Sequence, residues 1–166
     1  MLELVTPTES LRDAWRAAHA EWGPGLHEDG FGIGADDDVD TDPGFSAWVA
    51  SLRAGPGQLW WIVEDGEVRG GIALRAADDP RAERHGHVGY GIRPSARGRG
   101  MATWALREVV GRAARPIRAV CLDDNTASIA TLEKVGAVLE RKEDRGGVKV
   151  RCYAIGQSSD SGLPNA

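Results

Sequence analysis

Apolar residues along the chain fall into two spacings. In LELV (2–5), QLWWIVE (58–64), EVRGGIALRA (67–76), HGHVGYGIRP (85–94), PIRAVCL (116–122), AVLERKED (137–144) and VKVRCYAI (148–155) they alternate or run together, which predicts strands. In ESLRDAWRAAHAEW (9–22), Leu11, Trp15, Ala18 and Trp22 recur at helical spacing, with Thr8 or Ser10 as a cap. Phe45, Trp48, Val49 and Leu52 do the same in FSAWVASLRA, as do Met101, Trp104, Ala105, Val109 and Ala113 between Gly98 and Ala114. A last helix, NTASIATLEKVG, opens on Asn125 or Thr126 as its cap. Asp65-Gly66 between two apolar runs is a tight-turn signal, and Gly146-Gly147 closes a final hairpin. The predicted order is β-α-α-β-β-β-α-β-α-β-β, an α/β (α+β) fold on a mixed, mostly antiparallel sheet. It forms one domain over 1–155, and the small polar tail 156–166 is expected to be disordered.

At 166 residues and 42% hydrophobic positions the chain is long enough to build a core without staples. Its formal net charge of -5 argues against a general nucleic-acid or membrane-surface binder, so local basic spots must be read locally. No run approaches a membrane span and the N-terminus lacks a signal-peptide pattern, which leads to the expectation of a cytoplasmic protein. Its two cysteines, Cys121 and Cys152, form no C-x-x-C pair, so no disulfide framework and no metal site is expected. The six tryptophans are read as core.

One stretch stands apart. RPSARGRGMA (93–102) sets Gly98 and Gly100 among arginines where a strand hands over to a helix. The first N–H groups of a helix lack partners and sit at the positive end of its dipole, so glycines there let a phosphate approach the backbone. Arg97 and Arg99 would then clamp or rim the anion. A tight strand-to-helix turn with solvated arginines has the same composition. P-loop and dinucleotide fingerprints are absent, and a single Arg-Gly run in an acidic chain does not suit RNA.

The pattern Arg97-x-x-Gly100-x-Ala102 after GYGIRPS resembles the acetyl-CoA signature of the GNAT superfamily of N-acetyltransferases. Asn125-x-x-Ser128 followed by Glu133-Lys134-x-Gly136 resembles that family's later helix and turn, and HVGYGIRPSARGRGMAT is similar to a bacterial branch of predicted acetyltransferases. The resemblance covers most of the chain, most closely 60–155. It implies acetyl-CoA (coenzyme A) as cofactor, with the diphosphate on the backbone of Gly98, Arg99, Gly100, Met101, Ala102 and Thr103. Pantetheine and the acetyl oxygen would be held near Gly91, Ile92 and Arg93, on a strand bulged at Gly89 and Gly91. Asn125 and Ser128 match cofactor-contacting positions, although Asn125 also reads as a plain cap.

The implied reaction is direct attack of a primary amine on the thioester through a tetrahedral intermediate. It needs a base for the amine and a proton for the departing thiolate. Where relatives often carry glutamate this chain has His87, the expected base, with His85 able to share the task; either is also explicable as a packed or loop-edge histidine. Leu132 stands where many members carry tyrosine, leaving Ser128, Tyr153 and Tyr90 as possible donors, or thiolate release without one. An acetyl-cysteine route through Cys121 or Cys152 lacks an evident His or acid, so both are read as small buried residues.

Glu28, Asp29, Asp36, Asp37, Asp38, Asp40 and Asp42 crowd the loop that in the family borders the acceptor. They suggest a small cationic amine, or else a solvated loop. A protein or peptide N-terminus as acceptor, and a non-catalytic acyl-CoA sensor, are the alternative functions. The family also makes a homodimer an expectation.

Overall fold

The computed structural model describes residues 1–23 and 32–156. Glu28, Asp29 and the tail from 157 onward, about which the sequence raised expectations, lie outside them. The strands are β1 (Leu2–Val5), β2 (Gln58–Glu64), β3 (Glu67–Leu74), β4 (Val88–Ile92), β5 (Ile117–Leu122), β6 (Val138–Asp144) and β7 (Lys149–Ile155). The helices are α1 (Arg12–Trp22), α2 (Asp42–Ala54), the single turn α3 (Ala82–His85), α4 (Met101–Arg112) and α5 (Thr126–Lys134). Apart from α3 and two 3-10 turns, this is the order read from the sequence. His85 ends α3 instead of opening a strand, because residues 81–86 close helical backbone bonds, His85 N–H to Arg81 O among them at 2.8 Å.

Local chemistry sets the boundaries. Asp65 and Gly66 both take positive φ, as a two-residue hairpin turn requires. Helix α2 starts three residues before the apolar stripe suggests, because Thr41 caps it through a bond from Gly44 N–H at 3.2 Å and Pro43 presets its first turn. A side chain at Gly44 would lie 2.3 Å from Asp38 O.

Two antiparallel sheets result, ordered β1-β2-β3-β4 and β5-β7-β6. Helices cover both faces of the first, so adjacent Trp60 and Trp61 point into different cores. Trp15, Phe45, Trp48 and Trp61 stack beneath α1 and α2, with Trp15 and Trp48 rings 4.7 Å apart. Trp60, Ile72, Leu106, Val109, Ile117 and Tyr153 pack beneath α4 and α5.

The sheets touch at one point and then part. Gly86 bridges Ala119, and His87 N–H donates to Arg118 O at 2.8 Å; beyond this β4 has no partner strand on its β5 side. The expected bulge at Gly89 and Gly91 is not there. The β3–β4 register runs unbroken from Gly70↔Ile92 to Leu74↔Val88, and neither glycine has positive φ. What the chain needs instead is Gly70, whose Cβ would fall 2.1 Å from Gly91 O and push the strands apart.

Candidate active site

Helix α4 opens on bare backbone. Gly98 and Gly100 have φ of 76° and 78°, in the left-handed region that favours glycine, and an added Cβ at either would project into open space. The first N–H of this region with a helical acceptor is that of Trp104, to Gly100 O at 3.0 Å. Among the described residues, the N–H groups of Gly98, Arg99, Gly100, Met101, Ala102 and Thr103 have no acceptor. No acidic side chain occupies the first turn, so the positive end of the dipole is uncompensated.

The flanking arginines are held as a rim. Arg97 Nε donates to Ile92 O at 3.0 Å, and Arg99 makes a two-pronged pair with Glu64 at 2.8 and 2.9 Å. Glu21 on α1 fastens the same loop: its carboxylate accepts from Ser95 N–H, Ser95 Oγ and Arg93 Nε. These bonds, that of Ser95 N–H first, hold its pKa below the usual carboxylate range. Neither Glu21 nor Glu64 is marked by any motif in the sequence.

Along β4 the hydrogen bonds alternate. Arg93 N–H donates to Arg69 O, and Arg75 N–H to His87 O, so the His87 carbonyl and the backbone groups of residues 89, 91 and 93 turn toward β3. Tyr90 and Ile92 therefore present theirs to the gap. This corrects the expectation for Gly91 and Arg93, whose N–H groups the sheet consumes. Arg93 has its side chain tied to Glu21 and Val68 O.

The gap opens into a cavity of about 830 Å3 lined by Tyr90, Cys121, Asn125, Ser128 and Leu132, and beyond them by Leu59 and His85. Asn125 Oδ1 caps α5 by accepting from Ser128 N–H at 3.1 Å. Ser128 Oγ lies 2.8 Å from Tyr90 Oη, joining α5 to β4 across the parting of the sheets. Burial pushes the Tyr90 phenol up to about 12, so it keeps its proton. Burial likewise raises the Cys121 thiol, and Cys152 is buried too, consistent with small packed residues. Tyr153 sits in the core at 1% exposure, and its hydroxyl has no hydrogen-bond partner among the described residues. It is absent from the cavity lining, as is His87.

His87 differs from the expected base for a physical reason. It is buried, and its Nδ1 accepts Arg118 N–H at 2.9 Å, which staples β5 to the start of β4. Desolvation first, then nearby Arg115, lowers its pKa from 6.5. The unfolded chain thus binds more protons in this window. The stability tied to neutral His87 is present above about pH 6.5 and is lost as pH falls through the depressed folded value. Melting temperature should drop on acidification below about pH 6.5, and His87→Gln should lack that component; equal profiles for the two proteins would contradict this role.

Three of the described carboxylates of the Asp-rich loop are committed elsewhere. Asp38 accepts from Thr41 and Asp40, Asp37 accepts Gly34 N–H, and Asp42 pairs with Arg12 and Arg16. None of Asp36, Asp37, Asp38, Asp40 and Asp42 lines the cavity. Among the described residues there is no cluster able to hold a metal ion, and no helix is long and apolar enough to cross a membrane.

The geometry fits acetyl-CoA on this chain's own terms: six uncommitted N–H groups, a cradle that a Cβ would fill and an open strand edge beside it. Comparison with known proteins agrees. No curated protein matches the chain, but the model of the acetyltransferase (GNAT) domain matches residues 3–138. Among solved structures, the RimL ribosomal L7/L12 alpha-N-protein acetyltransferase in complex with coenzyme A is 20% identical, with 93% of this chain and 94% of that one covered at a TM-score of 0.68. The microcin C7 self-immunity acetyltransferase MccE, in complex with acetyl-CoA and AMP, is 16% identical over 92% and 91% of the two chains, TM-score 0.65. A Salmonella typhimurium acetyltransferase that modifies the N-terminal serine of L7/L12 is 21% identical over 92% and 93%, TM-score 0.64. With its fold, its cofactor cradle and the family model in agreement, the chain belongs to the GNAT acetyltransferases, which are acetyl-CoA-dependent acyltransferases.

Proposed function

We propose that the protein transfers the acetyl group of acetyl-CoA to a primary amine. The observation that carries this reading is the run of unpartnered N–H groups from Gly98 to Thr103 beside the open edge of β4. When bound, acetyl-CoA supplies an acetyl group activated as a thioester. The chain's part is binding and proton management. Gly98 to Thr103 hold the diphosphate, and Tyr90 and Ile92 N–H groups hold the pantetheine arm and the acetyl oxygen. Ser128 Oγ would hold a proton for the departing thiolate, steadied by Tyr90, and Asn125 sets the turn that presents it. The amine enters from the opposite side of the cavity, where His85 is the imidazole in reach to take its proton.

The test is release of free thiol from acetyl-CoA by the purified protein with a panel of small amines and free-N-terminus peptides. Amine-dependent release supports the reading, and binding without release from any acceptor contradicts it. Resemblance to the two enzymes acting on L7/L12 keeps peptide N-termini in that panel.

A further inference from the structure

The acceptor end of the cavity has the opposite charge to the one that the Asp-rich loop suggested. Among the described residues, Arg75, Arg81, Arg84 and Arg145 line it against one lining carboxylate, that of Asp79, in a chain whose net charge is -5. The cofactor's diphosphate does not explain them. The cradle follows the C-terminal end of β4, whereas these arginines surround its N-terminal end, and a five-residue strand spans roughly 17 Å.

The wall is built, not merely solvated. Arg145, in the β6–β7 turn, donates to the carbonyls of Arg84 and Glu83 at the end of α3 and is paired behind by Glu143. Arg81 is fixed by both oxygens of Asp79 at 3.0 and 2.7 Å, which holds that carboxyl down at about 2. Arg75 Nη1 donates to Gly86 O at 3.0 Å, and Arg115 supports Arg75 O. Arg84 is exposed, and its guanidinium has no hydrogen-bond partner among the described residues. Even with Glu143 counted, the positive charge is in excess among the described residues, and a concave wall focuses that field on whatever enters.

We infer that the acceptor carries an anionic group, a carboxylate or a phosphate, beside its amine, and that the wall of Arg75, Arg81, Arg84 and Arg145 receives it. This rests on the transferase reading and names its substrate class. Two-pronged guanidinium contacts suit either anion, and the same wall would reject a polycation by like-charge repulsion.

The experiment compares matched amines: glutamate against glutamine, O-phosphoethanolamine against ethanolamine, and tripeptides carrying Asp against Lys after a free N-terminus. The anionic member of each pair should show kcat/KM higher by at least about tenfold, mostly through KM, with the difference shrinking as salt rises. The small-molecule and peptide pairs tell which source of the anion the site takes. In Arg84→Glu the ratio should collapse and in Arg84→Lys it should recover, both with unchanged melting temperature. Equal or better turnover of the neutral and cationic members, or a ratio untouched by Arg84→Glu, overturns the inference while leaving the transferase standing. Calorimetric titration of the coenzyme A-loaded protein with the same amines separates the converse. Binding of only the anionic members without thiol release from any amine supports the wall and overturns the transferase reading.

Discussion

Gly100→Asp is expected to weaken acetyl-CoA binding by at least about a hundredfold. Gly100 is the left-handed cap of α4, and aspartate is among the few residues that visit this backbone region, so the fold should survive. The new Cβ meets open space, which means that whatever is lost is lost to the ligand and not to a neighbour. A carboxylate about 4 Å from a diphosphate charge is repelled by roughly 4 kcal/mol at the effective dielectric of a protein surface, and under 3 kcal/mol already accounts for a hundredfold. Gly100→Asn, of equal size and no charge, should lose less. Calorimetric titration with acetyl-CoA, with melting temperature as the control on folding, measures both. An unchanged affinity in Gly100→Asp would place the diphosphate elsewhere.

Ser128→Ala should lower kcat by about a hundredfold, the lower end of what a positioned proton donor contributes, and leave KM for acetyl-CoA nearly unchanged. The hydroxyl sits at the parting of β4 and β5, bonded to Tyr90 at 2.8 Å. Tyr90→Phe removes the other half of that bond and should act in the same direction with a smaller effect. Because the two share one interaction, the double variant should lose less than the product of the single losses. Stopped-flow and steady-state thiol release separate the chemical step from product departure. Full kcat in Ser128→Ala would mean that the thiolate leaves without a proton from this side chain.

What the sequence made legible was what local rules decide. The Asp65-Gly66 turn, the apolar stripe of α4 and the glycines before it follow from backbone preferences that need no knowledge of distant residues. Position along the chain was also enough to set Asn125 at a helix start, where it caps. What stayed hidden depends on pairing across the fold. His87 reads as a free imidazole until β5 is brought beside it and Arg118 N–H claims Nδ1. Glu21 looks like any exposed helix carboxylate, yet it fastens Ser95 and Arg93, which lie more than 70 residues away. The Asp-rich loop read as an acceptor electrode because charge is visible in a sequence and hydrogen bonds are not. Asp37 and Asp38 serve their own turn, and Asp42 serves α1. The arginine wall had no motif at all, since its four members come from three separate segments.

The measurement that bears most directly on the central claim is an amide NMR titration of the isotope-labelled protein with coenzyme A. Unpartnered N–H groups that donate to a diphosphate move downfield, so the signals of Gly98, Arg99, Gly100, Met101, Ala102 and Thr103 should shift together, followed by those of Tyr90 and Ile92. If these signals stay in place while others move, or if none moves at saturating coenzyme A, the account of this protein as a transferase built on that cradle is contradicted.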